Sequence, residues 1–504
     1  MENSALRSIR AQKAPAVRWA FVLAATITVA QLAACGERLP LAPSAKQIAN
    51  LPLPAAPSYI VEFGNNGVVP QALQQAVQQA GGRIARVQKS MGLALVTGLT
   101  PAAANALRSS GSAALILPNA RRQYIRPSFL ASHVMLALPK TAARDVRLTA
   151  LGPRDPRSAV FFDSLQWNMK AIRADSAWQI TSQGAGTKVF ILDTGVDTAH
   201  IDLAGRVNTT LSTSLAFNPT DTAGAEPLPF AHDVVGHGTI VSSLIATNSV
   251  AIAAVAPQAQ LVMVRVLDDQ GAGDDFTVIS GILYAADNGA DVINVSLGGY
   301  LRRSNPFDLA VADLTQRAID YATARGALVV AAAGNESVNT NTATAPNGSY
   351  ADSMHVLAGA IRQVISVGAT GPVNGVNDDS ITLYSNFGKS DVAVFAPGGG
   401  LITLTTANPH DLVWGACSGV TAREPVCADE QHIVADAGTS FSSPLVAAEA
   451  AVIKAQAHTK PQPSQLEKCV LSSADAPKGK SKPDINYNFG RIDVLNGVLH
   501  STCK

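Results

Sequence analysis

Charge is scarce in this chain. Of 504 residues only 15% are Asp, Glu, Lys or Arg, and 38 basic side chains nearly cancel 37 acidic ones. Disorder needs the opposite balance, little apolar surface and much net charge, whereas 47% of this sequence is hydrophobic, so the chain folds. Five cysteines are too few for a disulfide scaffold. At ~100–200 residues per domain the length allows roughly two to four units. The balanced total hides an asymmetry: residues 1–160 carry 18 basic and 5 acidic side chains, +13, and the other 344 carry 20 and 32, −12. An acidic major segment lacks the clustered basic face that tracks phosphates, which excludes nucleic-acid binding. The two parts should attract each other.

No apolar run is long enough to span a bilayer at the N-terminus. Arg7, Arg10, Lys13 and Arg18 precede an apolar run from Trp19 to Ala30, and the segment ends in Leu32-Ala33-Ala34-Cys35. The run falls short of the ~20 residues of a spanning helix and reads as a secretory signal. Leu-Ala-Ala-Cys resembles the bacterial lipobox, which implies that Cys35 is acylated and anchors an exported chain to a membrane. The destinations left open are the periplasm, the cell surface and secretion. In an oxidising compartment Cys417, Cys427, Cys469 and Cys503 form an even set. Short loop closure favours Cys417 with Cys427 and Cys469 with Cys503 among the three pairings. None shows the C-x-x-C spacing of a zinc site.

Five segments follow from composition and periodicity. Residues 1–35 are the signal and 36–56 a Pro/Ala-rich linker. Residues 57–125 alternate strand and helix signals in the order β-α-β-β-α-β of a small ferredoxin-like α+β unit. Residues 126–162, rich in Arg and Pro, read as an exposed linker that holds a processing site. From residue 163 to 504 continuous apolar runs alternate with helical stretches, the pattern of buried parallel strands in a three-layer α/β domain. In such sheets chemistry gathers at the carboxyl ends of the strands.

Three motifs stand at such ends. Asp193-Thr194-Gly195 follows the first strand of the body, Gly236-His237-Gly238-Thr239 opens a helix, and Gly438-Thr439-Ser440-Phe441-Ser442-Ser443-Pro444 opens a later one. A serine is a weak nucleophile until an imidazole takes its proton, and the imidazole needs a carboxylate to fix its tautomer. A helix N-terminus beneath Ser440 favours a developing oxyanion. Singly each has a bland reading: Asp-Thr-Gly as a turn, His237 as a helix-start residue, Ser440 as an N-cap. Together, in the order Asp, His, Ser, they resemble the subtilisin-like serine peptidases, the subtilases. Ala331-Ala332-Ala333-Gly334-Asn335 resembles that family's oxyanion segment, and Ser296-Leu297-Gly298-Gly299 the edge that pairs with substrate backbone.

The resemblance implies a subtilisin-like α/β fold with a mostly parallel sheet, preceded by a small α+β propeptide that inhibits the enzyme intramolecularly. It implies Asp193, His237 and Ser440 as the triad, Asn335 with the Ser440 N–H as oxyanion donors, and Ser296, Leu297, Gly298, Ala332 and Gly334 as substrate-binding residues. Protein or peptide substrates are cut with no cofactor required for catalysis, and the small Ala331–Gly334 wall points to apolar P1 residues. Two departures stand out: Ile240 replaces a frequent second His, and the segment from His237 to Pro257 is short for the family's calcium loop. Structural calcium is therefore unassigned; Asp202 matches a ligand position but stands alone. His200 and the His232-Asp233 pair do not read as a metal site, since loop histidines are mostly solvent-exposed. A catalytically silent, peptide-binding lipoprotein has no need of all four of Asp193, His237, Ser440 and Asn335. An α/β-hydrolase esterase needs Gly-x-Ser-x-Gly and the order Ser, Asp, His, and finds neither here.

Overall fold

The computed structural model describes Ile48 and residues 51–64, 67–125, 134–139, 154–217, 226–342, 353–355, 361–376, 379–421, 425–476 and 484–500. All of them lie within one compact unit that starts at Gly36. Cys35 and Cys503, named above for lipidation and disulfide formation, lie outside the described residues.

The N-terminal elements are β1 (Ser58–Glu62), α1 (Gln71–Gln79), β2 (Arg83–Gln88), β3 (Leu93–Thr97), α2 (Pro101–Ser109) and β4 (Leu115–Pro118). The strands form an antiparallel sheet in the order β2-β3-β1-β4. Buried residues recur at helical spacing, Leu73 and Val77 on α1, Ala104 and Leu107 on α2, so each helix lays one face on the sheet. Thr100 caps α2 by accepting from Ala103 N at 3.1 Å, and Pro101 follows where its missing N–H costs nothing.

Seven parallel strands form the main sheet: β7 (Lys188–Asp193), β8 (Thr213–Ser214), β9 (Gln260–Arg265), β11 (Val292–Val295), β13 (Leu328–Ala332), β15 (Val364–Thr370) and β16 (Val394–Pro397). Their order is β16-β15-β13-β11-β7-β9-β8. The alternation along β7 shows why its sequence is apolar throughout. Val189 and Ile191 enter one core layer with α3 (His237–Ile245) and α6 (Thr439–Gln456), while Phe190 and Leu192 enter another with α4 (Asp275–Asp287) and α5 (Pro306–Ala324). Helices cover both faces, giving three layers. At the C-terminus α7 (Pro463–Ser473) and α8 (Val494–His500) pack on α6.

Smaller sheets rim the carboxyl ends. β10 (Ala272–Asp274) pairs antiparallel with β5 (Arg121–Gln123), and β12 (Tyr300–Arg302) with β14 (Ser353–His355). β17 (Val413–Ala416) and β18 (His432–Asp436) form a hairpin to which β6 (Val134–Ala137) adds a third strand. That strand corrects the reading of 126–162 as exposed throughout. Leu138 is buried, its N–H donates to Gln431 O at 3.1 Å, and it shares a cluster with Leu165, Trp414 and Ile433. The apolar run Val134-Met135-Leu136 finds its partner almost 300 residues downstream, a pairing no local pattern reveals.

Candidate active site

Parallel register aligns the strand ends, so Asp193 closes β7 beside Arg265 of β9, and Asp193 O accepts from Val266 N at 3.0 Å. The carboxylate is fully buried. Its Oδ1 accepts from Thr194 N at 2.8 Å and meets His237 Nδ1 at 2.8 Å. His237 is the first residue of α3, and the next residue must be glycine: a Cβ on Gly238 would lie 2.1 Å from Gly195 O. Burial alone would push the His237 imidazole down, but the carboxylates of Asp193, Asp233 and Asp436 outweigh it and hold the group above its ordinary range.

Ser440 is the second residue of α6, where unpaired N–H groups open toward the site. Phe441 lays its ring against His237, centroids 5.5 Å apart and tilted by 40°, which fixes the nucleophile's helix beside the imidazole. The Ser440 hydroxyl donates to Ser296 O at 3.2 Å. Ser296 returns a bond through its own hydroxyl to Ser440 O at 2.9 Å and accepts from Asn294 Nδ2 at 2.8 Å. Asn335 follows β13, and its Oδ1 accepts from Thr439 N at 2.9 Å and Thr439 Oγ1 at 2.8 Å. An obligatory N–H donor faces that oxygen, so the amide orientation is determined and Nδ2 is the end turned from Thr439.

The structure thus gathers Asp193, His237, Ser440 and Asn335. Of the residues read as substrate-binding, Gly298 lies beside the N-terminal chain, with Tyr124 O 3.8 Å from where its Cβ would sit, and Gly334 N donates to Thr439 Oγ1 at 3.1 Å beside Ser440. Ser296 spends its side chain on holding Ser440, Leu297 is a core residue, and Ala332 is buried at the end of β13. Cys417 and Cys427 form a disulfide with Cα atoms 5.8 Å apart, and Cys469 is also disulfide-bonded.

One reading of a polar residue needs correction. His200 is buried, not exposed: its ring meets His432 O at 2.9 Å and accepts from Asp202 N at 3.2 Å. His232 is exposed, whereas its neighbour Asp233 is fully buried. Its spacing ahead of the Gly-His-Gly-Thr motif, four residues before a helix start, was the signal that could have marked it. Asp202 stands where a cation ligand would, but its surroundings are donors. Its carboxylate accepts from three consecutive backbone N–H groups, Val250 at 2.7 Å, Ala251 at 3.0 Å and Ile252 at 3.1 Å. The carbonyls of Val250 and Ala251 turn away to accept from Val160 N and Phe161 N. Calcium requires converging oxygens, and amide donors are the wrong chemistry, so this set does not fit a cation.

The comparisons with known proteins agree with this geometry. The Peptidase S8 family model, described as the subtilase family, matches residues 184–491, more than half of the chain. Thermitase of Thermoactinomyces vulgaris is 33% identical over 300 residues, covering 59% of this chain and 90% of thermitase. The thermophilic serine proteinase of Bacillus sp. strain AK1 is 29% identical over 343 residues, covering 68% of each. The crystal structure of the epidermin leader peptide processing serine protease from Staphylococcus aureus superposes with a TM-score of 0.66 at 23% identity, covering 89% of this chain and 99% of that one. At that identity the likeness speaks for the fold, and it extends beyond the residues the family model matches. With strand ends, helix starts and relatives in accord, the chain belongs to the subtilase family and is a serine endopeptidase.

Proposed function

We propose that this peptidase acts through Ser440 as nucleophile, His237 as base and then acid, and Asp193 as the group that orients and stabilises the imidazolium. The observation that carries the reading is the 2.8 Å contact of His237 Nδ1 with buried Asp193, beside the helix start that presents Ser440. Acylation begins when the Ser440 hydroxyl turns from Ser296 O to the imidazole, loses its proton to Nε2 and attacks the peptide carbonyl. The oxyanion forms between the Ser440 N–H and Asn335 Nδ2, and His237 returns the proton to the leaving amine. Water then repeats the sequence on the acyl-enzyme. Hydrolysis of a peptide substrate should vanish in Ser440→Ala and His237→Ala. Full activity in either would reject the assignment.

The enzyme is made as a zymogen, in which the 57–125 unit packs on α4 and α5 and its outgoing chain passes the substrate edge, Tyr124 O lying 3.8 Å from where a Cβ on Gly298 would sit. In support, β5 pairs with β10 on one flank and β6 with β18 on the other, so the chain leaves one flank at Ile125 and re-enters the second at Val134. Export and anchoring through Cys35 rest on the N-terminal sequence, and no helix among the described residues is long and apolar enough to cross a membrane. Mass spectrometry of the processed form from a membrane fraction, with and without Cys35→Ser, tests both.

A further inference from the structure

Asp233 has no part in the acyl transfer just described, yet both of its oxygens are saturated. Oδ1 accepts from Thr194 Oγ1 at 2.8 Å and Gly236 N at 2.9 Å, and Oδ2 from Thr239 N at 2.8 Å and Thr239 Oγ1 at 2.7 Å. Four donors fill the roughly four lone-pair sites of an ionised carboxylate, and a carboxyl proton would displace one of them. Burial pushes the group above the usual carboxylate range, and the bonds from Thr239 and Thr194 oppose that.

The donors come from two places. Gly236 N and Thr239 N are open amides at the start of α3, the helix whose first residue is His237. Thr194 directly follows Asp193, and its Oγ1 also accepts from Gly238 N at 3.0 Å. One carboxylate therefore joins the end of β7 to the first turn of α3, the two segments that supply Asp193 and His237.

We propose that Asp233 is a positioning residue for the Asp193–His237 pair: its carboxylate locks the strand end against the helix start, and its charge adds to that of Asp193 in favouring the imidazolium. The proposal rests on His237 acting as the base. The charged groups that bear on the imidazole are Asp193 from β7, Asp233 from the loop before α3 and Asp436 from the end of β18. Around Asp233 itself stand Asp193 and the hydroxyls of Thr194 and Thr239, while Ser418 Oγ donates to Asp233 O. The buried Arg265 of β9 is turned to the carbonyls of Pro229 and His232.

The test uses the full chain, allowed to mature, with active sites counted by a fluorophosphonate. In Asp233→Asn, kcat per site should fall about 10- to 100-fold with KM little changed, the cost of a small misplacement of a catalytic pair. The acid limb of kcat/KM should move to lower pH, because loss of a negative charge makes the imidazolium easier to deprotonate. Thr194→Val, which cuts the link to β7 and keeps the charge, should lower kcat with a smaller shift of the limb. An Asp233→Asn enzyme with an unshifted limb and unchanged kcat per site would overturn the proposal, even if its melting temperature fell. Where Asp233→Asn does not fold, unchanged kcat in Thr194→Val overturns it. Activity that persists in His237→Ala would instead remove the mechanism on which the proposal stands.

Discussion

Two strands from the basic N-terminal third of the chain flank the site, and different chemistry holds them. On β5, Arg122 Nε bonds Asp275 Oδ1 at 2.7 Å and its Nη2 reaches Asp308 Oδ1 at 3.0 Å; Arg121 pairs with Asp268, and Arg86 on β2 with Asp274 at 3.4 Å. This is the charge asymmetry of the sequence brought to one seam. On the other flank β6 contributes backbone ladder bonds and apolar contacts. Met135 Sδ lies 3.7 Å from Cys427 Sγ, and Leu138 sits in a core cluster. An ionic seam is screened by salt and sets association, whereas an apolar strand inside a core belongs to the stability of the fold.

The bluntest way to examine the contrast is to keep both flanks in place. Ser440→Ala should lose at least ~10⁴ of the turnover, and, if processing is autocatalytic, intact mass should show an uncut chain. Next comes a paired substitution. Arg122→Ala strips two buried or half-buried carboxylates of their partner and should speed release of the N-terminal unit from processed enzyme about 30-fold or more. Leu138→Ala should leave that release rate unchanged and lower the unfolding free energy of the full chain by about 2–5 kcal/mol. Release kinetics and denaturant melts separate the two, and equal effects of both variants on release would erase the distinction.

A third site, remote from both flanks, serves as the control for pH. Glu449 on α6 is fully buried against Ser473, and burial pushes its carboxyl up to about 8, with the Ser473 hydrogen bond opposing. The unfolded value is ~4.3, so the folded state holds the proton more tightly. This contribution to stability is fully present below about pH 4 and is lost progressively as pH rises toward about 8. Glu449→Gln should flatten that part of the melting-temperature profile without touching release of the N-terminal unit. The smallest effect expected is that of salt: raising NaCl from about 0.05 M to about 0.5 M should slow reassociation of the released unit, since only the ionic seam is screened. A salt-independent rate would show that the seam does not steer the encounter.

Much of the body was legible because its signals are local. Continuous apolar runs such as Phe190-Ile191-Leu192, bounded by turn residues such as Asp193-Thr194-Gly195, read as strands covered on both faces, and a Ser or His at a helix start declares itself by its neighbours. What escaped depends on partners far away in sequence. β6 reads as linker until β18 is placed beside it, and His200 reads as a loop residue until His432 O closes over it at 2.9 Å. Asp233, four residues before the start of α3, shows locally only as an acceptor for the helix's first amides, and its tie to Thr194, 39 residues earlier, appears only in the fold.

Catalysis turns on one atom, Ser440 Oγ. Matured enzyme treated with a fluorophosphonate, digested and mapped by tandem mass spectrometry should carry a single adduct on the peptide that holds Ser440, in proportion to the activity lost. Labelling should disappear in Ser440→Ala. An adduct on another serine, or full inactivation with Ser440 unmodified, would contradict the mechanism.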